Sequence, residues 1–129
     1  MPLKLSLAKG ERFVVNGAVI KNDGPDTSLV FENRAHILRQ KDIMSDDSAN
    51  TPARRVYLTL QCAYMFPDRQ LEHLEAFRTM LAEFLAASPS SAQIGQTLGD
   101  LVDANDLYGA MKECRNLIEH ETEILDHVQ

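Results

Sequence analysis

Leu3, Leu5 and Leu7 alternate with Lys4 and Ser6, the period-two pattern of a half-buried strand. Phe13-Val14-Val15 and Ala18-Val19-Ile20 are apolar runs separated by Asn16-Gly17, a pair whose tolerance of positive φ predicts a two-residue hairpin. The breaker Asp23-Gly24-Pro25-Asp26 precedes Thr27 to Phe31, and after Glu32-Asn33-Arg34 a further run covers Ala35 to Arg39. About four or five short antiparallel strands are expected.

Beyond Ile43 the period changes. Residues 45–50, Ser-Asp-Asp-Ser-Ala-Asn, are polar and aperiodic and read as a linker. Thr51-Pro52 then supplies an N-cap and a proline at the first helical position, opening a helix through about Met65. After Pro67 a second helix should start near Asp68, carry Leu71, Leu74, Phe77, Leu81 and Phe84 inward, and stop before Ser88-Pro89-Ser90. A third covers about Ser91 to Asp103 with Ile94, Leu98 and Leu101 inward, weakened by Gly95 and Gly99. In the last helix Leu107, Met111, Cys114, Ile118, Glu121, Leu125 and Val128 recur at alternating steps of four and three, interrupted by Glu121 alone. That stripe is either core laid on the second helix or a seam for a partner, with Leu107, Met111, Cys114, Ile118 and Leu125 as its contacts. The expected class is α+β: a β-rich lobe over 1–44, a linker over 45–50 and a helical lobe of about four helices over 51–129.

Composition narrows function by exclusion. The 129 residues, 44% hydrophobic and 25% charged, suffice for one modest core. No apolar run approaches the roughly 20 residues of a membrane helix, and the alternating N-terminus lacks a secretory h-region, so a cytoplasmic protein is expected. Cys62 and Cys114 fall in apolar periodic segments as small hydrophobes, and no disulfide is expected. Glu119-His120-Glu121 and His127 bear metal-ligand atoms, but there is no His-Glu-x-x-His or Cys-x-x-Cys spacing. Glycine-rich phosphate loops and an organised acid/base pair are also missing, so neither an enzyme nor a cofactor is expected.

Charge is distributed unevenly. Net charge is −6, yet residues 1–55 hold nine Lys/Arg against seven Asp/Glu, whereas residues 56–129 hold four against twelve. Contact with a polyanion therefore belongs to the first half. The basic set there is Lys9, Arg12, Lys21, Arg34, Arg39 and Lys41, followed by Arg54 and Arg55. Two cations in a helix's first turn oppose its dipole, which calls for a nearby anion: either Asp46 or Asp47 from the linker, or a bound polyanion.

Four stretches carry a family resemblance: Met1 to Leu7, Gly10-Glu11-Arg12-Phe13-Val14-Val15-Asn16-Gly17-Ala18-Val19-Ile20, Ile37 to Ile43, and Ala49-Asn50-Thr51-Pro52-Ala53-Arg54-Arg55-Val56-Tyr57. Together they closely resemble the FlbT family of flagellin-synthesis regulators. The resemblance implies a post-transcriptional regulator, a repressor in most members and an activator in some, that associates with the 5′ untranslated region of flagellin mRNA and promotes its decay or restrains translation. It also implies a FlaF-like regulator or flagellin as protein partners. The strand lobe resembles CsrA-type translational repressors as well, through Leu3-x-Leu5, Gly10-Glu11 and Phe13. That similarity implies an intertwined dimer of short strands binding RNA through arginines, although two of the pattern's arginine positions fall here at Leu7 and Ala8 and a third at Gln40. The RNA surface is accordingly expected at Arg12, Arg39, Lys41, Arg54 and Arg55, and a homodimer is expected. A second reading is a protein-interaction adaptor that binds flagellin or a regulator through the acidic helical lobe, with any RNA effect indirect.

Overall fold

A computed structural model describes the backbone of residues 3–128 and side chains through residue 126. The chain is α+β, with five strands preceding four helices among the described residues: β1 Leu3–Leu7, β2 Arg12–Val15, β3 Ala18–Lys21, β4 Thr27–Phe31 and β5 Ile37–Arg39, then α1 Pro52–Met65, α2 Gln70–Ala87, α3 Ala92–Asp103 and α4 Leu107–Val128. They fall into two compact units that divide between Ile43 and Met44.

In the first unit β1 pairs antiparallel with β4, while β2 lies between β3 and β5. The β2–β3 connection is the expected tight hairpin, with Asn16 at φ 51° and Gly17 at φ 86°. Leu5, Leu7 and Phe13 form the core between the two sheets, with Val15, Phe31 and Ile37 packed against it. The rings of Phe13 and Phe31 meet edge-to-face with centroids 6.2 Å apart.

In the second unit α1 packs on both α2 and α4, and α3 packs on α4. Residues 45–50, expected as a linker, cluster with the helices. There Ser45 and Ser48 hydroxyls lie 2.9 Å apart, and Ala49 is buried. Just before them, the buried Gln61 amide clasps Met44 from both sides: Gln61 Nε2 donates to the Met44 carbonyl at 2.9 Å and the Met44 amide donates to Gln61 Oε1 at 2.7 Å.

Three helical faces differ from the periodicity reading. Leu74, Phe77, Leu81 and Phe84 are buried as expected, but Leu71 is 81% exposed. At about 100° per residue Gln70, not Leu71, continues the stripe by one turn. Gln70 is half-buried, and its Nε2 donates to the Ala63 carbonyl at 3.4 Å. In α3 Leu98 and Val102 are buried together with Gly95, while Ile94 and Leu101 are half-buried. A Cβ on Gly95 would lie 2.5 Å from Leu85 Cδ1, so the glycine that lowers helix propensity is what lets α3 sit close to α2.

The third difference is in α4. Its buried line is Leu107, Ala110, Met111, Cys114, Leu117 and Glu121, packed on α1 and α3 and not on the second helix as expected. At about 100° per residue Leu117 and Ile118 flank the inward line through Cys114 and Glu121 from opposite sides, and the packing of α4 on α1 and α3 buries the Leu117 side. Ile118 is half-buried and Leu125 is 49% exposed. Val128, the last member of the stripe, and His127 lie outside the residues whose side chains are described.

Candidate nucleic-acid interface

The candidate cations divide between the two units: Arg12, Arg39 and Lys41 in the first, Arg54 and Arg55 in the second. Within the first unit, strand register decides which of them can act together. Arg39 lies opposite Phe13 across β5 and β2, so it springs from the face that bears the Phe13 ring. Arg12 neighbours Phe13 along β2 and therefore springs from the opposite face. The Arg39 guanidinium folds over the start of the sheet, donating to the Ser6 carbonyl at 3.3 Å and approaching Glu11 at 3.9 Å. Arg39 thus ties β5 to β1 and to the turn after it. Lys41 is exposed on the single 3-10 turn Gln40–Asp42 that follows β5.

Opposite Arg12 stands Lys21, its partner across β2 and β3. Both are exposed. Like charges directly opposite on a strand pair destabilise it, and an anion bridging them would reverse the sign of that contribution. Lys21 was part of the basic set but not of the expected interface. The signal that could have found it was already present, because a two-residue Asn16-Gly17 hairpin fixes the register and sets residue 12 against residue 21.

Arg54 and Arg55 stand where the cap predicts, in the first turn of α1, whose donors can be followed one by one. Thr51 is the N-cap and its Oγ1 accepts from the Arg54 amide at 3.3 Å. Its carbonyl accepts from the Arg55 amide at 2.9 Å. Pro52 has no amide hydrogen, and the Ala53 amide donates to Glu121 Oε2 at 2.9 Å. The anion that offsets the dipole conflict is therefore Glu121, a residue 68 positions away in sequence. Neither Asp46, Asp47 nor a polyanion is needed for that purpose. The Arg54 guanidinium donates to Asn50 Oδ1 at 3.1 Å, and Arg55 is exposed beside a half-open cavity of about 330 Å³ floored by Pro52, Met80 and Phe84.

Of the stripe expected to meet a partner, Leu107, Met111 and Cys114 are buried inside the helical unit. Burial pushes the Cys114 thiol up to about 12. Among the described residues no group of three or more His, Cys, Asp or Glu side chains is arranged to hold a metal ion. No helix of the described residues is long and apolar enough to cross a membrane.

Residues 3–125 match the family model described as "Flagellar protein FlbT". The chain belongs to the FlbT family. It is 42% identical to the "Probable flagellum biosynthesis repressor protein FlbT" of Caulobacter sp. (strain K31), over 99% of each chain. Identity to the "Flagellum biosynthesis repressor protein FlbT" of Caulobacter vibrioides (strain ATCC 19089 / CIP 103742 / CB 15) is also 42%, over 99% of this chain and 92% of the relative. A third FlbT relative, from Bradyrhizobium diazoefficiens, is 36% identical over 96% of this chain and 85% of its own. No solved structure matches the chain. The first of the two sequence resemblances thus extends across nearly the whole FlbT-family chain, helical unit included.

Proposed function

We propose that this FlbT-family protein represses flagellum biosynthesis after transcription, by binding the 5′ untranslated region of flagellin mRNA through its strand unit and promoting decay or blocking translation. The repressor role follows the names of its relatives. Arg12 opposite Lys21 carries the RNA reading: two exposed cations held side by side on a surface, in a half of the chain whose net charge is positive. Arg39 and Lys41 lie on the same small unit and add to its field. Arg54 and Arg55 contribute less, because Glu121 already places a carboxylate at that helix start, where it accepts from the Ala53 amide.

The test is binding of the full chain to a flagellin leader RNA over a series of salt concentrations. Arg12→Ala with Lys21→Ala should weaken binding, and each lost phosphate contact should flatten the salt slope of log K by roughly 0.7 to 1. Arg54→Ala with Arg55→Ala should have the smaller effect, and Arg115→Ala on α4 should leave the slope alone. A folded Arg12/Lys21 double variant that keeps wild-type affinity and slope would remove the RNA surface from this site. The adaptor reading would then lead, supported by the α1–α2 cavity beside Arg55 and Glu83, which could take a side chain of flagellin or of a FlaF-like regulator.

A further inference from the structure

The strand unit is built as two incomplete sheets. Among the described residues β3 and β4 are each paired on one edge only, β3 with β2 and β4 with β1. All four positions of β3 are exposed, as are four of the five in β4. They carry apolar side chains on both faces: Val19 is 66% and Ile20 41% exposed in β3, and Leu29 is 39% and Val30 58% exposed in β4. Solvated edge strands are normally blunted by charge, proline or a bulge, and strands apolar on both faces belong in the middle of a sheet.

β3 and β4 are consecutive in the chain, yet they do not complete each other. The connection between them is tied down by Asn22, whose Nδ2 donates to the carbonyls of Leu7, Ala8 and Pro25 and whose Oδ1 accepts from the Gly24 amide. Asp26 adds a further tie, its Oδ1 accepting from the Lys9 amide at 2.9 Å. The two edges are thereby held in different sheets.

We infer that a second copy of this chain completes the unit, β3 of each copy pairing with β4 of the other. The strands are four and five residues long, and their faces agree. Ile20 shares the Phe13 face and Leu29 shares the Leu5 face, the two that meet in the core, whereas Val19 shares the opposite face with the buried Val14 and Leu38, and Val30 lies on the face opposite Leu29. Each β1–β4 sheet already packs on the β3–β2–β5 sheet of its own copy. Extending each by the other's strands produces two five-stranded layers stacked face to face about a two-fold axis. The contact is the same patch on both copies, so it closes at two and leaves neither edge free. Among the described residues the core between the sheets has only Leu5, Leu7 and Phe13 as its fully buried members, and so small a core gains most from such completion.

The full-length protein tests this by light scattering at about 10 to 100 µM, the range for an association of micromolar strength. Wild type should be a dimer. Val19→Lys and Val30→Glu should each be monomeric, with association weakened at least about a hundredfold by an unpaired charge at a closing apolar edge. Mixing the two variants should restore a dimer, because the ammonium introduced on β3 of one copy then meets the carboxylate introduced on β4 of the other at one junction, and the second junction is wild type. Pairing of β3 with β3, or of β4 with β4, would give no such rescue. Amide exchange on wild type, which needs no variant, should show protection of residues 18–21 and 27–31 that is lost on dilution. A monomeric wild type, dimeric single variants, or failure of the mixture to dimerise while both components are folded by circular dichroism would each overturn the pairing. So would protection independent of concentration.

Discussion

The Glu121 carboxylate caps α1 by accepting the Ala53 amide at 2.9 Å, from a position 7% exposed to solvent. A polar residue that breaks an apolar stripe on one helix is thus the N-terminal ligand of another. Glu121→Ala leaves the Ala53 amide without its acceptor beside two cations and should cost about 1 to 3 kcal/mol in urea denaturation. Glu121→Gln, which keeps a carbonyl acceptor and loses the charge, should cost less. An Ala variant as stable as wild type would contradict the capping role.

Leu117 and Ile118 flank the inward line of α4, and packing on α1 and α3 chooses between them. Leu117 is fully buried and Ile118 half-buried. Leu117→Ala should destabilise the protein by about 2 to 4 kcal/mol, and Ile118→Ala by clearly less. Equal losses in thermal or urea melts would contradict that choice of side.

Cys114 should make stability fall at alkaline pH. Burial raises its thiol from 9.0 to about 12, with Glu121 and Glu113 adding to the rise and Arg115 opposing it. The folded state holds the proton more tightly than the unfolded chain, so the contribution is complete below pH 9 and is lost as pH climbs toward 12. Relative to Cys114→Ala, wild type should lose stability with a slope of up to about 1.4 kcal/mol per pH unit across that window. Matching denaturation curves taken at pH 8 and pH 10.5 provide the measurement. The buried thiol should also resist alkylation in native protein at pH 8 while the half-buried Cys62 reacts faster, although burial and Asp46 raise that thiol too.

Gly95 is where propensity and packing disagree. Alanine there should help an isolated α3, yet its methyl would press into Leu85. Gly95→Ala should lower stability by about 1 to 2 kcal/mol, the usual cost of overpacking, and Leu85→Ala in the same chain should recover part of the strain. A stabilised Gly95→Ala would mean that the Leu85 side chain swings aside freely.

Local chemistry alone determined much of this chain. Asn16-Gly17 settled a hairpin and, through its register, the pairing of Arg12 with Lys21; Thr51-Pro52 settled where α1 begins; alternating leucines settled β1. Each depends on neighbours a few residues apart, where backbone sterics and capping act without help from the rest of the molecule. Only tertiary structure decided that Glu121 is a cap, that Gln70 replaces Leu71 and Leu117 replaces Ile118 on the inner faces, and that Gly95 is needed beside Leu85. Helical periodicity leaves an apolar stripe uncertain by one residue, about 100° of rotation, until a neighbouring helix selects the buried side. A carboxylate in the stripe has no meaning until its acceptor finds a donor, and here that donor lies on a helix 68 residues earlier in the chain.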